Sequence, residues 1–313
     1  MNKYSKGVLT GVLSVLFLSS YSIFGKILLE NLAPETVAGL AQTLSVITIL
    51  LCFGFLPEIK KIHRLPRKTL FYLFLVAFLA GAVAPLLFLK GLLLTTATNS
   101  IIIGRIEVVF VGIISFLWLR EKITKNQIGG IALMFIGMLL IATQNFAIGF
   151  NFNHGDILIM GSALVWALAT VIFKKNLHHM SPELVVLIRN FTGAICMFFV
   201  IPLILNVEHT VNLTLLDQNI LIPLVLFALL TIVFGQMLWY KTLDLIPATV
   251  ASSIGLLGPL FGVILAVTIL KENLYSYHLI GGIFILIGLA LTVLHHQKHP
   301  HHHKLQKTKH WTH

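Results

Sequence analysis

The sequence predicts an all-α integral membrane protein with ten transmembrane helices in two five-helix repeats of opposite topology. Three observations lead there. Of 313 residues, 57% are hydrophobic and only 11% are charged, against roughly 25% charged in an ordinary soluble domain. The mean hydropathy is +0.94. The apolar residues fall into ten runs near the roughly 20 residues that a bilayer-spanning helix requires. The second half of the chain also aligns on the first in two ungapped blocks. This composition excludes a soluble enzyme and a disordered chain, and ten spans with short loops leave little for an extramembrane domain.

Taken in order, the expected spans are 8–29, 34–56, 69–93, 97–119, 125–143, 155–177, 182–205, 219–243, 247–270 and 276–295. None alternates like a barrel strand, and backbone groups in lipid must be satisfied internally, so each is read as a helix. The amino-terminal stretch after Lys3 and Lys6 resembles a signal peptide. It runs past the usual apolar core and lacks a clear cleavage site, so it is read as the first retained span.

Positive charge orients the chain. With the amino terminus inside, the loops carrying Lys60, Lys61, Arg64, Arg67 and Lys68, then Arg120, Lys122 and Lys125, then Lys174, Lys175 and Lys241 are all internal. The basic tail is internal as well, and Lys271 stands alone in the external loops. Both termini are therefore expected in the cytoplasm. The net charge of +11 is explained by these loops and tail, and no nucleic-acid partner is implied.

The repeat is legible in its polar and small residues. At an offset of 148, Gly7 meets Gly155, Ser14 meets Ser162, Lys26 meets Lys174, Pro34 meets Pro182 and Glu35 meets Glu183. At 151, Lys90 meets Lys241, Gly104 meets Gly255, Glu121 meets Glu272, Gly130 meets Gly281 and Gly137 meets Gly288. Five spans per repeat is odd, so the second repeat enters from the opposite side, as in many secondary transporters. The expected division is a first repeat over 1–145, a second over 146–295 and a His/Lys-rich cytosolic tail over 296–313.

Each repeat closes its fourth span alike, with Leu-Arg-Glu-Lys-Ile at 119–123 and Leu-Lys-Glu-Asn-Leu at 270–274. The second adds Pro-Ala-Thr-Val-Ala at 247–251 and Gly-Pro-Leu-Phe-Gly at 258–262. In these features residues 7–295 resemble the EamA family of the drug/metabolite transporter superfamily. The resemblance implies export or import of small metabolites through a central cavity drawn from spans 1, 3, 4, 6, 8 and 9. It also implies a bacterial inner membrane. The first repeat departs from the pattern where Arg105, Ile106, Glu107 and Val108 replace Leu256, Leu257, Gly258 and Pro259.

Arg105 and Glu107 are the sharpest candidates. A charge at the centre of a span costs about 2.5–3.5 kcal/mol on insertion scales, so neither is expected to face lipid. Two residues apart on a helix, they point about 200° away from each other and should not pair. Arg105 is read as binding a substrate anion such as a carboxylate, and Glu107 as binding an ammonium group or carrying a proton. The alternative is that both lock span 4 to its neighbours. Arg189 is read as snorkelling to the cytoplasmic side, with a place in the cavity as the alternative, and Asn190 as a helix–helix hydrogen-bonding residue. Gln236, Trp239, Tyr21 and Trp166 are expected in the cavity wall or else as satisfied packing residues. Lys26, Lys174, Lys90 and Lys241 read as anchors at helix ends. Lys90 is kept among the substrate-binding candidates, because the inside-positive pattern leaves it unexplained.

Pro259, preceded by Gly255 and Gly258, predicts a hinge in span 9. Pro85, preceded by Gly81, predicts one in span 3. Carbonyls freed there are potential cation ligands. Gly129, Gly130 and Gly137, with Gly281, Gly282 and Gly288, predict close packing of spans 5 and 10 or a homodimer contact. Glu121 and Glu272 read as loop salt bridges or caps. Cys52 and Cys196 read as packing residues, and no cofactor is implied. The histidine-rich tail leaves metal binding open.

The expected function is secondary transport of amino-acid-like or other zwitterionic or anionic metabolites by alternating access, with proton coupling through Glu107. A polytopic membrane enzyme would need a catalytic cluster near one interface, and none is seen outside the tail. A channel would need a filter or a ring of charge.

Overall fold

A computed structural model describes residues 2–53, 62, 65–95, 100, 103–120, 124–142, 154–205, 217–269 and 276–298. These residues are helical apart from short connections, and no strand occurs among them. The first half holds α1 (Lys3–Leu18), α2 (Tyr21–Leu29), α3 (Pro34–Phe53), α4 (Arg67–Phe78), α5 (Ala84–Leu94), α6 (Glu107–Trp118) and α7 (Lys125–Ala142). The second holds α8 (His154–Asn176), α9 (Pro182–Ile195), α10 (Ile201–Leu205), α11 (Gln218–Leu226), α12 (Gln236–Leu245), α13 (Ala248–Ile254), α14 (Gly258–Ile269) and α15 (Ser276–Lys298).

Six helical stretches among the described residues are long and apolar enough to cross a bilayer: Lys3–Leu29, Pro34–Cys52, Arg67–Leu94, His154–Asn176, Pro182–Ile204 and Gln218–Leu245. Glu107–Trp118, Ala248–Gly262 and Leu279–Leu291 are shorter apolar helices. The chain is a multi-pass membrane protein. Large apolar side chains such as Leu51, Phe199 and Leu203 cover its outer surface.

Local chemistry sets the helix ends. Asn2 caps α1 by accepting from the Ser5 N–H at 2.7 Å, and Asp217 caps α11 by accepting from Asn219 and Ile220. Pro34 and Pro182 open α3 and α9, where a missing N–H costs nothing. Between α1 and α2, Ser19 and Ser20 donate back to the Val15 and Phe17 carbonyls, each at 2.6 Å. Such local bonds compete with the helical ladder and bend the span there.

Several spans are irregular. A π-helical segment, Leu79–Val83, joins α4 to α5; another of the same length runs over Cys196–Val200, and a longer one over Phe227–Gly235. In the first, the Ala84 N–H bonds to the Leu79 carbonyl, one residue further back than in an α-helix. The carbonyl of Ala80 then lacks a donor at both 84 and 85, because Pro85 has no N–H, and Gly81 loses its donor at 85 for the same reason. Side chains from facing helices take both. Arg189 on α9 donates Nε and Nη2 to the Ala80 carbonyl at 3.1 and 2.8 Å. Gln42 on α3 donates to the Gly81 carbonyl at 2.6 Å. The carbonyls freed by Pro85 are therefore occupied by protein donors. Before Pro259, a single 3-10 turn, Gly255–Leu257, separates α13 from α14.

Span 4 departs from expectation. Arg105 and Ile106 form a turn, and α6 starts at Glu107. The Ile106 N–H reaches Ile103 and the Val108 N–H reaches Arg105, both at 3.1 Å. These tight bonds break the continuous helix that was expected, so the helical angle between Arg105 and Glu107 does not apply. At the other end of α6, Arg120 takes a left-handed φ of 53°.

The halves pack through α1 on α12, α5 on α8, α3 on α9 and α7 on α15. A Cβ on Gly137 would strike the Gly281 carbonyl, and one on Gly288 would strike the Gly130 carbonyl. These glycines therefore let α7 and α15 approach backbone to backbone, while Gly129 has open space beside it. Lys26 donates to the Leu92 and Thr95 carbonyls at 3.0 and 3.2 Å. Lys174 donates to the carbonyls of Leu243 and Ile246. Each lysine thus closes the carboxyl end of a neighbouring helix, where carbonyls lack partners. Glu121, Glu272 and the tail beyond 298 lie outside the described residues.

Candidate functional site

A cavity of about 150 Å³ lies between the two halves, at the level where α1 gives way to α2 and where span 4 breaks. Arg105, Glu107, Gln236, Trp239, Tyr21 and Trp166 all reach its wall, and Gly255 contributes backbone. Lys90 does not. It is half-buried on α5 and away from this wall. Pro85, Gly258 and Pro259 are buried behind the wall. Pro85 acts there through the carbonyl of Ala80, which does line the cavity.

One side of the chamber is aromatic. Tyr21 meets Phe88 edge-on at 5.2 Å and Phe227 at 4.9 Å. Phe88 meets Trp166 at 5.5 Å. Such tilted arrangements match the ring quadrupoles and hold the wall in one shape. Hydroxyls from Ser22, Ser100, Thr170 and Ser252 intersperse it.

The polar side is built on α6, α9 and α12. With its amide carbonyl turned to α9, Gln236 accepts from Arg189 Nη2 at 3.3 Å and donates to Asn190 Oδ1 at 3.3 Å and to the Ile232 carbonyl at 3.1 Å. Asn190 in turn donates to Ser45 Oγ on α3 at 2.6 Å. Arg189 is only 7% exposed, and its guanidinium is tied to Ala80. It therefore lines the cavity and does not snorkel to the cytoplasmic side. Its geometry comes from a carbonyl 109 positions earlier in the chain, a relation no local reading of Arg189 contains.

Arg105 is placed differently. Its guanidinium lies directly against Gly258, where any Cβ would overlap it. Its Nε is buried and has no hydrogen-bond partner among the described residues. No ion pair joins it to Glu107 among the described residues. Both side chains keep partial exposure, and both line the cavity. A guanidinium whose Nε lacks an acceptor among the described residues and a carboxylate, facing one cavity, can bind a small organic ion through charge-assisted hydrogen bonds. No group of three metal-ligating side chains occurs among the described residues.

Phe88 and Thr170 were not among the expected site residues, and for Arg189 the cavity was the alternative to snorkelling. For the first two the repeat held a signal: Phe88 is the 151-offset mate of Trp239, and Thr170 is the 148-offset mate of Ser22. Arg189 aligns with Ala41 and carries no such signal.

Comparison with known proteins bears on what this cavity serves. The model of the EamA-like transporter family matches residues 5–143 and again 153–294. A Bacillus subtilis protein, "Uncharacterized transporter YetK", is 28% identical over 87% of this chain and 82% of its own. An uncharacterized transporter of Synechocystis is 27% identical over 76% of this chain and 69% of its own. An Escherichia coli protein described as a "probable amino-acid metabolite efflux pump" is 26% identical over 55% of this chain and 59% of its own. A solved crystal structure superposes with a TM-score of 0.74 at 15% identity, covering 94% of this chain and 98% of that one. It shares the fold.

Proposed function

The chain belongs to the EamA-like transporter family, and from that premise we propose that it carries small organic carboxylates across a cell membrane by alternating access. The observation that carries this reading is the convergence of Arg105, Glu107, Gln236, Trp239, Tyr21 and Trp166 on one cavity between the halves. Arg105 takes the carboxylate, Glu107 takes an ammonium group or a proton, and the aromatic wall takes the apolar body. The efflux-pump relative, named for amino-acid metabolites, supports a substrate of this chemistry.

The proposed architecture is ten spans in two inverted repeats, with both termini cytoplasmic in a bacterial inner membrane. Reciprocal contacts support it. Lys26 binds the carbonyls of Leu92 and Thr95, and Lys174 binds those of Leu243 and Ile246, the residues 148 and 151 positions later. Gly137 faces Gly281 as Gly288 faces Gly130. Equivalent pairs on opposite sides of a pseudo-two-fold axis let one chamber open to either face as the halves rock. Pro85 and the Gly255–Pro259 segment serve as the hinges, and the outer faces of α7 and α15 offer a homodimer contact.

Proteoliposome counterflow of labelled amino acids and carboxylates tests this reading. Saturable exchange that Arg105→Ala abolishes by weakening binding is expected, and unchanged affinity in that variant refutes the ligand role. Proton coupling predicts that Glu107→Gln loses uptake driven by a pH gradient while keeping counterflow. Intact pH-driven uptake removes the proton from the mechanism. Single-channel currents in place of saturation would favour a pore.

A further inference from the structure

The charge balance of the chamber narrows the substrate beyond the carrier reading on which this step rests. Three charged side chains line it among the described residues: Arg105, Arg189 and Glu107. Among the described residues Arg189 donates to the Ala80 carbonyl at 2.8 and 3.1 Å and to the Gln236 amide oxygen at 3.3 Å. These acceptors are neutral, so they orient its charge without cancelling it. Glu107 balances one guanidinium and leaves the other in surplus. Arg105 adds to the demand for an anion, since its Nε is buried without a partner among the described residues.

We infer that the chamber selects organic anions of single net negative charge over the zwitterions of the same skeleton. A surplus charge in a cavity with a largely apolar wall is costly. A monoanion removes it. A zwitterion contributes no net charge and leaves it standing, while a cation doubles it. The bound form is then a neutral chamber, with the carboxylate on Arg105 and the apolar body against Tyr21, Phe88 and Trp166. Arg189 sets the preference without needing to touch the ligand, because it supplies the unbalanced charge.

The test is calorimetric titration of the full-length protein in lipid nanodiscs with two matched sets. One comprises leucine, 4-methylpentanoate and 3-methylbutylamine, and the other phenylalanine, 3-phenylpropanoate and phenethylamine. The deaminated acid is expected to bind about tenfold or more tighter than its amino acid, since one elementary charge at contact is worth several RT even at an effective dielectric near 20. The amine is not expected to bind. Arg189→Gln balances the wall and should bring acid and amino acid together. Glu107→Gln, which leaves the Ala80 anchor intact, should widen the gap. An amino acid that matches or beats its deaminated acid in the wild type overturns the charge assignment and leaves the carrier reading standing. A gap that neither variant moves also overturns it. Binding of none of the six compounds defeats the carboxylate role of Arg105 and this inference with it.

Discussion

Pro85 and Gln42 form an energetic pair that can be dissected. Pro85 leaves the Gly81 carbonyl without its α-helical donor, and Gln42 Nε2 fills that role at 2.6 Å from a side chain only 2% exposed. Replacing Gln42 with Met keeps the length and removes the donor, stranding a buried carbonyl at a cost of about 1–3 kcal/mol. Gln42 Oε1 is itself buried without a partner among the described residues, so Met also relieves one unmet group. The net loss should therefore fall near the lower bound, about 1 kcal/mol, or roughly fivefold in the unfolding equilibrium. Pro85→Ala restores an N–H at position 85. In that background the Gly81 carbonyl no longer needs Gln42, and Gln42→Met should be neutral or slightly stabilising. The four proteins can be compared by equilibrium unfolding in mixed micelles titrated with dodecyl sulfate. An interaction energy of about 1 kcal/mol or more is expected. Equal cost of Gln42→Met in both backgrounds refutes the account of Pro85 as the source of the free carbonyl.

Three further outcomes follow from the packing and electrostatics. His178, in the connection between α8 and α9, has its pKa held below the usual 6.5, first by burial and then by Lys174, His179 and Lys3, with Asp244 opposing. The folded form thus binds fewer protons than the unfolded one. Stability should be full above pH 6.5 and fall as pH drops below it, and His178→Gln should flatten a pH series of unfolding midpoints between about 7.5 and 5.5. Thr95→Val removes the 2.6 Å bond to Asp156 Oδ1 that joins the halves beside Lys26; a bond to a charged group predicts a loss of about 1.5–3 kcal/mol in the same assay. Gly137→Val sets side-chain carbons against the Gly281 carbonyl and should cost about 1–3 kcal/mol by overpacking, whereas Gly129→Ala, with open space beside it, should be tolerated.

Much of the fold could be read from the sequence because a bilayer imposes few solutions. Apolar runs of span length must be helices, so the bounds 34–56 and 155–177 came close to Pro34–Phe53 and His154–Asn176. The repeat offset pointed to residues that the fold uses in pairs, among them Lys26 with Lys174. What hydrophobicity could not convey was continuity. A run such as 97–119 is equally greasy whether its backbone is one helix or is broken at Arg105. The break depends on tertiary contacts, including the seat that Gly258 gives to the guanidinium.

The same limit explains the site. Arg105 and Glu107 stood out because an ionised group in a span is costly wherever it sits, and position in the chain alone reveals that cost. Arg189 carries the same charge but lies within reach of an interface, so snorkelling was a sufficient account of it. Its actual role requires knowing that Pro85 strips the Ala80 carbonyl of donors, that a π-helical turn removes the remaining one, and that α9 crosses there. Each fact is ordinary, and only their coincidence fixes the guanidinium at the cavity wall. A helix defect in one half thus positions a charge in the other. Motion that reshapes the Leu79–Val83 segment must then also move the Arg189 charge, which would couple the proposed hinge at Pro85 to the electrostatics of the cavity.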